Sequence, residues 1–267
     1  MAKSIAMRLR VLFLFIFITM VSTAFAQDLS LFEKKVFISP QGDTLPYRIL
    51  FPENYDRSKS YPLVMFLHGA GERGNDNEAQ LTHGSILFLA DSNRKNYPAI
   101  VVFPQCPLNI AWSSVQIDRT KQPLEFGFDY KKPQTAPMRS VIALTKALIA
   151  NESVNRKKVY ITGLSMGGMG TFEAVYHMPV LFAAAAPICG GGDGPSYNRK
   201  TAKVPFWIFH GDADPVVNVK LSREMVARLQ QLKGKVKYTE YPGVAHDSWN
   251  NAFAEPGYLA WMFAQSK

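Results

Sequence analysis

A serine set between glycines is the residue with the clearest chemical meaning in this sequence. The segment GLSMG, residues 163–167, follows the apolar run Val159 to Thr162 and precedes a helical pattern that stops at Pro179. Glycines on both sides of a serine at such a strand–helix junction allow the strained turn of a nucleophile elbow. We therefore predict Ser165 as a nucleophile. The alternative is a glycine-rich turn that only packs the helix.

A nucleophilic serine needs a base to take its proton and an acid to orient that base. Scaffolds that use this turn place the acid and then the histidine after the serine. The loop HGDADPVV, residues 210–217, offers Asp212 and Asp214, and His246 is the histidine that follows both. We favour Asp214 because it lies further into the loop, and we expect Asp212 to brace the turn. His246 is predicted as the base.

A tetrahedral intermediate needs two backbone N–H donors for its oxyanion. One donor is expected at Met166, directly after the serine. The second is expected in the loop HGAGERG, residues 68–74, which follows another apolar run. Small residues in that loop let the backbone approach a substrate, so we predict Ala70, with Gly71 as the alternative.

Two tryptophans and two further histidines lie near the predicted strand ends. Trp112 and Trp249 are candidate substrate contacts, because an indole can stack on a sugar or an aromatic ring. Each can equally pack as local core. His68 and His210 both precede a glycine at the end of an apolar run, and we interpret them as turn or packing residues.

The two cysteines, Cys106 and Cys189, are too few for a disulfide scaffold or a cysteine-rich zinc site. Both follow predicted strands, and they are expected either to pair or to stay as buried thiols. The sequence holds no G-x-G-x-x-G, P-loop or H-E-x-x-H motif, so no metal, nucleotide or other cofactor is expected.

The elements that must position these residues alternate along the chain. Short apolar runs such as Tyr61 to Leu67 and Ala99 to Phe103 are followed by helical patterns such as Pro137 to Asn151. This alternation predicts an α/β fold, a mostly parallel central sheet with helices on both faces. An antiparallel hairpin is expected at the edge, within Phe32 to Phe51. The polar stretch Ile117 to Lys132 is expected to be irregular, as a lid or substrate loop.

The first 26 residues have the pattern of an export signal. Three basic residues precede the apolar run VLFLFIFITMV, and Ala24 and Ala26 form an A-x-A cleavage pattern. We predict a signal peptide at 1–26 and one catalytic domain at 27–267, with export to the periplasm or the cell exterior. An uncleaved membrane anchor is the alternative, and no stable membrane insertion is expected after cleavage.

Composition and charge exclude several classes of protein. Hydrophobic residues make up 47% of the chain and charged residues 19%, which is typical of a globular protein. The net charge of +9 includes three basic residues in 1–26, which holds no acidic residue, so cleavage lowers it to +6. The remaining basic residues are dispersed, and nucleic acid is not expected as a partner.

With these motifs in view, the chain resembles the α/β-hydrolase superfamily. The resemblance runs from Tyr61 to the C-terminus and is carried by six segments: LHGAGERGNDN (67–77), FPQCP (103–107), GLSMGGMGT (163–171), PICGGGD (187–193), HGDADPVV (210–217) and HDSW (246–249). More narrowly, the chain looks like secreted esterases described as predicted peptidases, phospholipase/carboxylesterase-like or feruloyl-esterase-like proteins. The resemblance implies a triad of Ser165, Asp214 and His246, with oxyanion donors at Ala70 and Met166.

The resemblance implies a serine esterase that forms an acyl-enzyme on a small-molecule or polysaccharide-linked ester, such as a feruloyl or acetyl ester of a plant polysaccharide. A small exported peptidase is one alternative, although no segment before residue 60 has room for the propeller domain that larger peptidases of this kind add. A catalytically silent carbohydrate-binding protein is the other, and the complete set of triad residues argues against it.

Overall fold

A twisted sheet of eight strands forms the centre of the molecule. The computed structural model describes residues 28–121 and 124–267. Ten strands occur in this part of the chain: β1 (Glu33–Ile38), β2 (Thr44–Leu50), β3 (Tyr61–Leu67), β4 (Ile100–Pro104), β5 (Val115–Asp118), β6 (Glu125–Phe128), β7 (Val154–Leu164), β8 (Ala184–Ile188), β9 (Phe206–Gly211) and β10 (Val236–Tyr241). The large sheet has the order β1-β2-β4-β3-β7-β8-β9-β10, and β5 pairs with β6 separately.

Strand direction agrees with the predicted architecture. The strands from β4 through β3, β7, β8 and β9 to β10 run parallel to their neighbours. β1 and β2 form the antiparallel hairpin expected at the edge, and β2 pairs antiparallel with β4. The carboxyl ends of the six parallel strands therefore meet at one edge of the sheet, where such folds bind their ligands.

Helices cover both faces of this sheet. They are α1 (Ser85–Leu89), α2 (Asp91–Asn96), α3 (Ala136–Asn151), α4 (Met166–His177), α5 (Lys220–Gln231), α6 (Trp249–Ala254) and α7 (Tyr258–Ala264). Leu63, Met65 and Leu67 of β3 pack into one buried cluster with residues of α3, α4 and α5. Val64 and Phe66 point the other way, into a cluster with residues of α1, α6 and α7. The alternation of side chains along a strand builds these two cores.

The stretch Ile117 to Lys132 is more regular than the sequence suggests. Residues 115–118 and 125–128 form the β5–β6 hairpin, with Val115 opposite Phe128 and Ile117 opposite Phe126. Apolar residues alternate with polar ones in β5, and the phenylalanines of β6 alternate with Glu125 and Gly127, a pattern too brief to stand out from the polar residues around it. The expectation of an irregular loop was therefore wrong for these two segments.

The predicted signal peptide at 1–26 lies outside the described residues. The signal, the cleavage after Ala26 and export stay predictions. Among the helices in the described ranges, none combines the length and the apolar character needed to cross a bilayer.

Candidate active site

Ser165 occupies a strained turn between β7 and α4. Its backbone has φ 54° and ψ −116°, a conformation that costs energy for a residue with a side chain. Its N–H donates to the carbonyl of Ile188 at the end of β8, over 2.9 Å. A Cβ at Gly163 would lie 2.6 Å from the carbonyl oxygen of Leu67, and one at Gly167 would collide with the same carbonyl. The glycines thus let the turn pack tightly against the end of β3.

A histidine and a buried aspartate line up behind this serine. Nε2 of His246 lies 2.9 Å from Oγ of Ser165. Nδ1 of His246 lies 2.7 Å from Oδ2 of Asp214. Three chain segments that are far apart in the sequence therefore form one relay, from hydroxyl to imidazole to carboxylate. This arrangement can move the proton of Ser165 onto His246 while Asp214 stabilises the imidazolium.

The Asp214 carboxylate is shielded from solvent and well supplied with donors. Its side chain is fully buried, and Oδ1 accepts the N–H groups of Val216 and Val217 at 2.8 and 2.9 Å. Burial raises the pKa of Asp214. Contacts with His210, His246 and the Val217 N–H lower it by more, so that the pKa lies well below its usual range. Asp214 is therefore ionised at neutral pH.

Asp212 takes the bracing position expected for it. Its side chain is exposed, and Oδ1 accepts the N–H of Gly243 at 2.6 Å. Gly243 has a φ of +71° in the turn that leads to His246. Asp212 thus ties the acid loop to the histidine loop without touching the histidine ring.

The two predicted oxyanion donors lie in neighbouring segments. Met166 is the first residue of α4, and Ala70 opens the short 3₁₀ turn Ala70–Glu72 after β3. The loop approaches the elbow closely, because a Cβ at Gly69 would lie 2.8 Å from Cδ1 of Leu164. The fold therefore brings both backbones to the same edge of the sheet as Ser165.

Trp112 does not lie in the cleft, and its prediction as a substrate contact was wrong. The side chain is completely buried, and the indole N–H donates to the carbonyl of His68 at 3.1 Å. Trp112 therefore supports the loop of residues 68–74, in which one oxyanion donor is predicted. Trp112 does follow a strand, β4, as the sequence indicated. Its side chain packs against α4, where a Cβ at Gly170 would lie 2.6 Å from Cβ of Trp112.

His68 supports the same loop. Its Nε2 accepts the N–H of Cys106 at 2.9 Å, and its Nδ1 lies 2.6 Å from the carbonyl of Gly69, to which it donates. Burial lowers the pKa of His68 to about 4. The neutral ring is thus a structural crosslink between the loops after β3 and β4, which agrees with its interpretation as a packing residue.

Trp249 lies beside the candidate base. Its ring meets that of His246 edge-on, with centroids 5.5 Å apart, and its other neighbour is His83 at 5.1 Å. The residue is partly exposed. A contact between Trp249 and substrate stays a prediction, and the structure places this side chain beside His246.

Glu173 was not identified from the sequence. This fully buried residue of α4 accepts hydrogen bonds from Oγ of Ser113 (2.8 Å), and from N and Oγ of Ser114 (2.6 and 3.0 Å). It therefore anchors the loop that carries Trp112. The available signal was an acidic residue between Phe172 and Ala174 on an otherwise apolar helix, since such a carboxylate needs buried donors.

Both cysteines are free and buried. Burial raises the pKa of the Cys106 thiol to about 12. Cys106 follows β4 and Cys189 follows β8, two strands that are not neighbours in the sheet. Of the two arrangements left open by the sequence, the structure has separate thiols. Within residues 28–121 and 124–267, no three His, Cys, Asp or Glu side chains cluster as metal ligands.

The fold together with this site defines a serine hydrolase of the α/β-hydrolase class. The chain belongs to the phospholipase/carboxylesterase family, whose sequence model matches residues 54–255. Acyl-protein thioesterase 1 of Neurospora crassa is 25% identical over an alignment of 214 residues that covers 69% of this chain and 80% of that protein. The bifunctional acetylxylan esterase/xylanase of Neocallimastix patriciarum is 26% identical over 178 residues, covering 67% of this chain and 22% of that protein.

Solved structures of esterases share the fold. A thermostable esterase superposes with a TM-score of 0.80 at 37% identity, over 89% of this chain. The chain spans 64% of that esterase. A ferulic acid esterase of Anaeromyces mucronatus, solved with ferulic acid, has a TM-score of 0.64 at 18% identity, covering 88% of this chain and 90% of that one. At that identity the likeness concerns the fold alone.

Proposed function

We propose that this chain hydrolyses carboxylic esters through an acyl-enzyme, with Ser165 as nucleophile, His246 as general base and acid, and Asp214 as the orienting acid. The observation that carries the proposal is the continuous relay of 2.9 Å from Ser165 to His246 and 2.7 Å from His246 to Asp214. Family membership supports it, since the family is one of carboxylesterases.

The proposed reaction has two half-reactions. Ser165 attacks the ester carbonyl as His246 takes its proton, and the N–H groups of Met166 and Ala70 stabilise the oxyanion. His246 then protonates the leaving alcohol. A water molecule, activated by His246, attacks the acyl-enzyme and releases the acid.

For the substrate class we propose acetyl or feruloyl esters of plant polysaccharides. The support comes from relatives named as an acetylxylan esterase and as ferulic acid esterases, and from the aromatic side chain of Trp249 beside the base. A thioester is the second candidate, because acyl-protein thioesterases match over most of their length.

A paired hydrolysis screen tests the proposal. Wild type and Ser165→Ala are compared on p-nitrophenyl acetate, methyl ferulate, acetylated xylan, an S-acyl thioester and a proline-containing peptide amide. We expect hydrolysis of the acetyl or feruloyl esters by wild type and a loss of at least about 10³-fold in Ser165→Ala. A fluorophosphonate probe should label wild type and not the variant.

Other outcomes of the screen would contradict parts of the proposal. Preferred cleavage of the thioester would replace the polysaccharide substrate while keeping the mechanism. Preferred cleavage of the peptide would indicate a peptidase. Ester hydrolysis and probe labelling that survive Ser165→Ala would show that another residue is the nucleophile.

A further inference from the structure

His210 is a second histidine at the Asp214 carboxylate. It lies in β9 and is completely buried. Its Nε2 is 2.9 Å from the carbonyl oxygen of Val217 and 3.2 Å from Oδ2 of Asp214, the same oxygen that faces His246. On the opposite side of the ring, Nδ1 lies 2.7 Å from Oγ of Ser222 in α5. The chain of hydrogen bonds from Ser165 through His246 to Asp214 does not include this ring.

The neighbours of His210 determine where its proton lies. A carbonyl and an ionised carboxylate can only accept hydrogen bonds, so Nε2 must carry a hydrogen. Oγ of Ser222 lies 2.7 Å from Nδ1 and 3.0 Å from the carbonyl of Gly190, and its one hydrogen can be donated to only one of these two acceptors. The ring is therefore held at both ends, with an N–H directed at the acid loop.

This N–H completes a set of contacts, here called the clamp, that holds the turn from Asp214 to Val217. Val217 donates its own N–H to Oδ1 of Asp214 and accepts the N–H of His210 with its carbonyl. Burial raises the pKa of Asp214, and its contacts with His210, His246 and the Val217 N–H lower it. A buried charge of this kind is stable only when several donors surround it.

We propose that His210 is a positioning residue for the ester hydrolysis put forward above. It fixes the turn from Asp214 to Val217 and draws negative charge away from the carboxylate oxygen that faces His246. The proposal rests on the proposed function, because the effect is exerted on the Ser165 reaction through Asp214 and His246.

Other charged and titratable groups surround this pair and stay in place in the test. Glu240 of β10 lies opposite His210 in the strand register and forms an ion pair with Arg223 of α5. Burial, and then the charge of Asp214, raise the pKa of the Cys189 thiol at the end of β8. None of these groups replaces the N–H of His210.

Two substitutions separate positioning from packing. His210→Phe fills the space without an N–H, whereas the amide of His210→Gln can place an N–H near the position of Nε2. In His210→Phe the Asp214 carboxylate keeps more negative charge on the oxygen that faces His246. The protonated form of His246 is then more stable, so the acid limb of the pH–activity profile moves to higher pH. We expect a fall in kcat/KM of about tenfold and an upward shift of about half a pH unit or more. His210→Gln should recover most of both.

The readouts distinguish the possible failures. A fall in kcat/KM with an unmoved acid limb in both variants would overturn the positioning role and leave only packing. If wild type hydrolyses none of the esters, the proposed function fails instead. In that case, or if His210→Phe does not fold, ¹⁵N-detected NMR of wild type decides. A protonated Nε2 on His210 across the neutral range supports the clamp, and an unprotonated Nε2 overturns it.

Discussion

At the scale of single residues, two aspartates that lie two positions apart have different surroundings. Asp214 is fully buried and faces His246, whereas Asp212 is exposed and accepts from Gly243. Position in the loop was the basis on which the sequence ranked them. The reason for the difference is visible only in the structure, where the backbone N–H groups of Val216 and Val217 point at Asp214.

Conservative substitutions at these two aspartates should have very different effects. Asp214→Asn removes the charge that orients His246 and stabilises its imidazolium, and we expect kcat to fall by about 10³- to 10⁴-fold. Asp212→Asn keeps a carbonyl acceptor for Gly243, and we expect a change of no more than about threefold. Steady-state kinetics on p-nitrophenyl acetate measure both. An equal loss in the two variants would contradict the assignment of the acid.

At the scale of elements, the close approach of β3 and α4 brings the loop of residues 68–74 to the turn that holds Ser165. A Cβ at Gly167 would collide with the Leu67 carbonyl and lie 2.7 Å from that of His68. These are backbone atoms and cannot move aside independently. The glycine is therefore required by the packing of two elements, as well as by the turn.

Alanine substitutions in these two segments test that packing. Gly167→Ala should force α4 away from the loop, lowering the free energy of unfolding by about 3 kcal/mol and reducing activity in any folded fraction. Gly71→Ala is the matched control, since a Cβ there meets nothing within 4 Å. We expect it to change stability by less than about 0.5 kcal/mol. Urea unfolding of both variants gives the comparison, and similar midpoints would contradict the packing argument.

At the scale of the whole molecule, buried polar crosslinks join loops from different strands. His68 links the loops after β3 and β4, and Glu173 of α4 anchors the segment that carries Trp112. Such groups make stability depend on pH when burial keeps one of them neutral.

His68 should make the protein less stable as the pH falls. Its pKa is about 4 in the folded protein against an ordinary value of 6.5, so the unfolded chain binds the extra proton between these values. The free energy of unfolding should therefore fall from about pH 6.5 to pH 4, by up to about 3 kcal/mol. His68→Asn does not titrate and should lack this part of the decline. Urea unfolding at pH 7 and pH 4.5 compares the two proteins, and equal losses of stability would exclude His68 as the source.

What the sequence determined by itself was local. The turn around Ser165, the alternation of apolar runs and helices, and the order of serine, acid and histidine are all readable from neighbouring residues, because backbone strain and side-chain period act over a few positions. These features predicted the α/β architecture and brought attention to the residues that form the relay.

Only the tertiary structure decided which distant residues share buried polar partners. The sequence left Trp112 open as a substrate contact or as local core, and in the structure it is buried and donates to the carbonyl of His68, 44 positions earlier. Glu173 reaches Ser113 across 60 positions. His210 sits beside Asp214 because β9 and its following loop fold back on each other. A buried donor or acceptor must find a partner wherever the packed chain supplies one, and the linear sequence does not record that proximity.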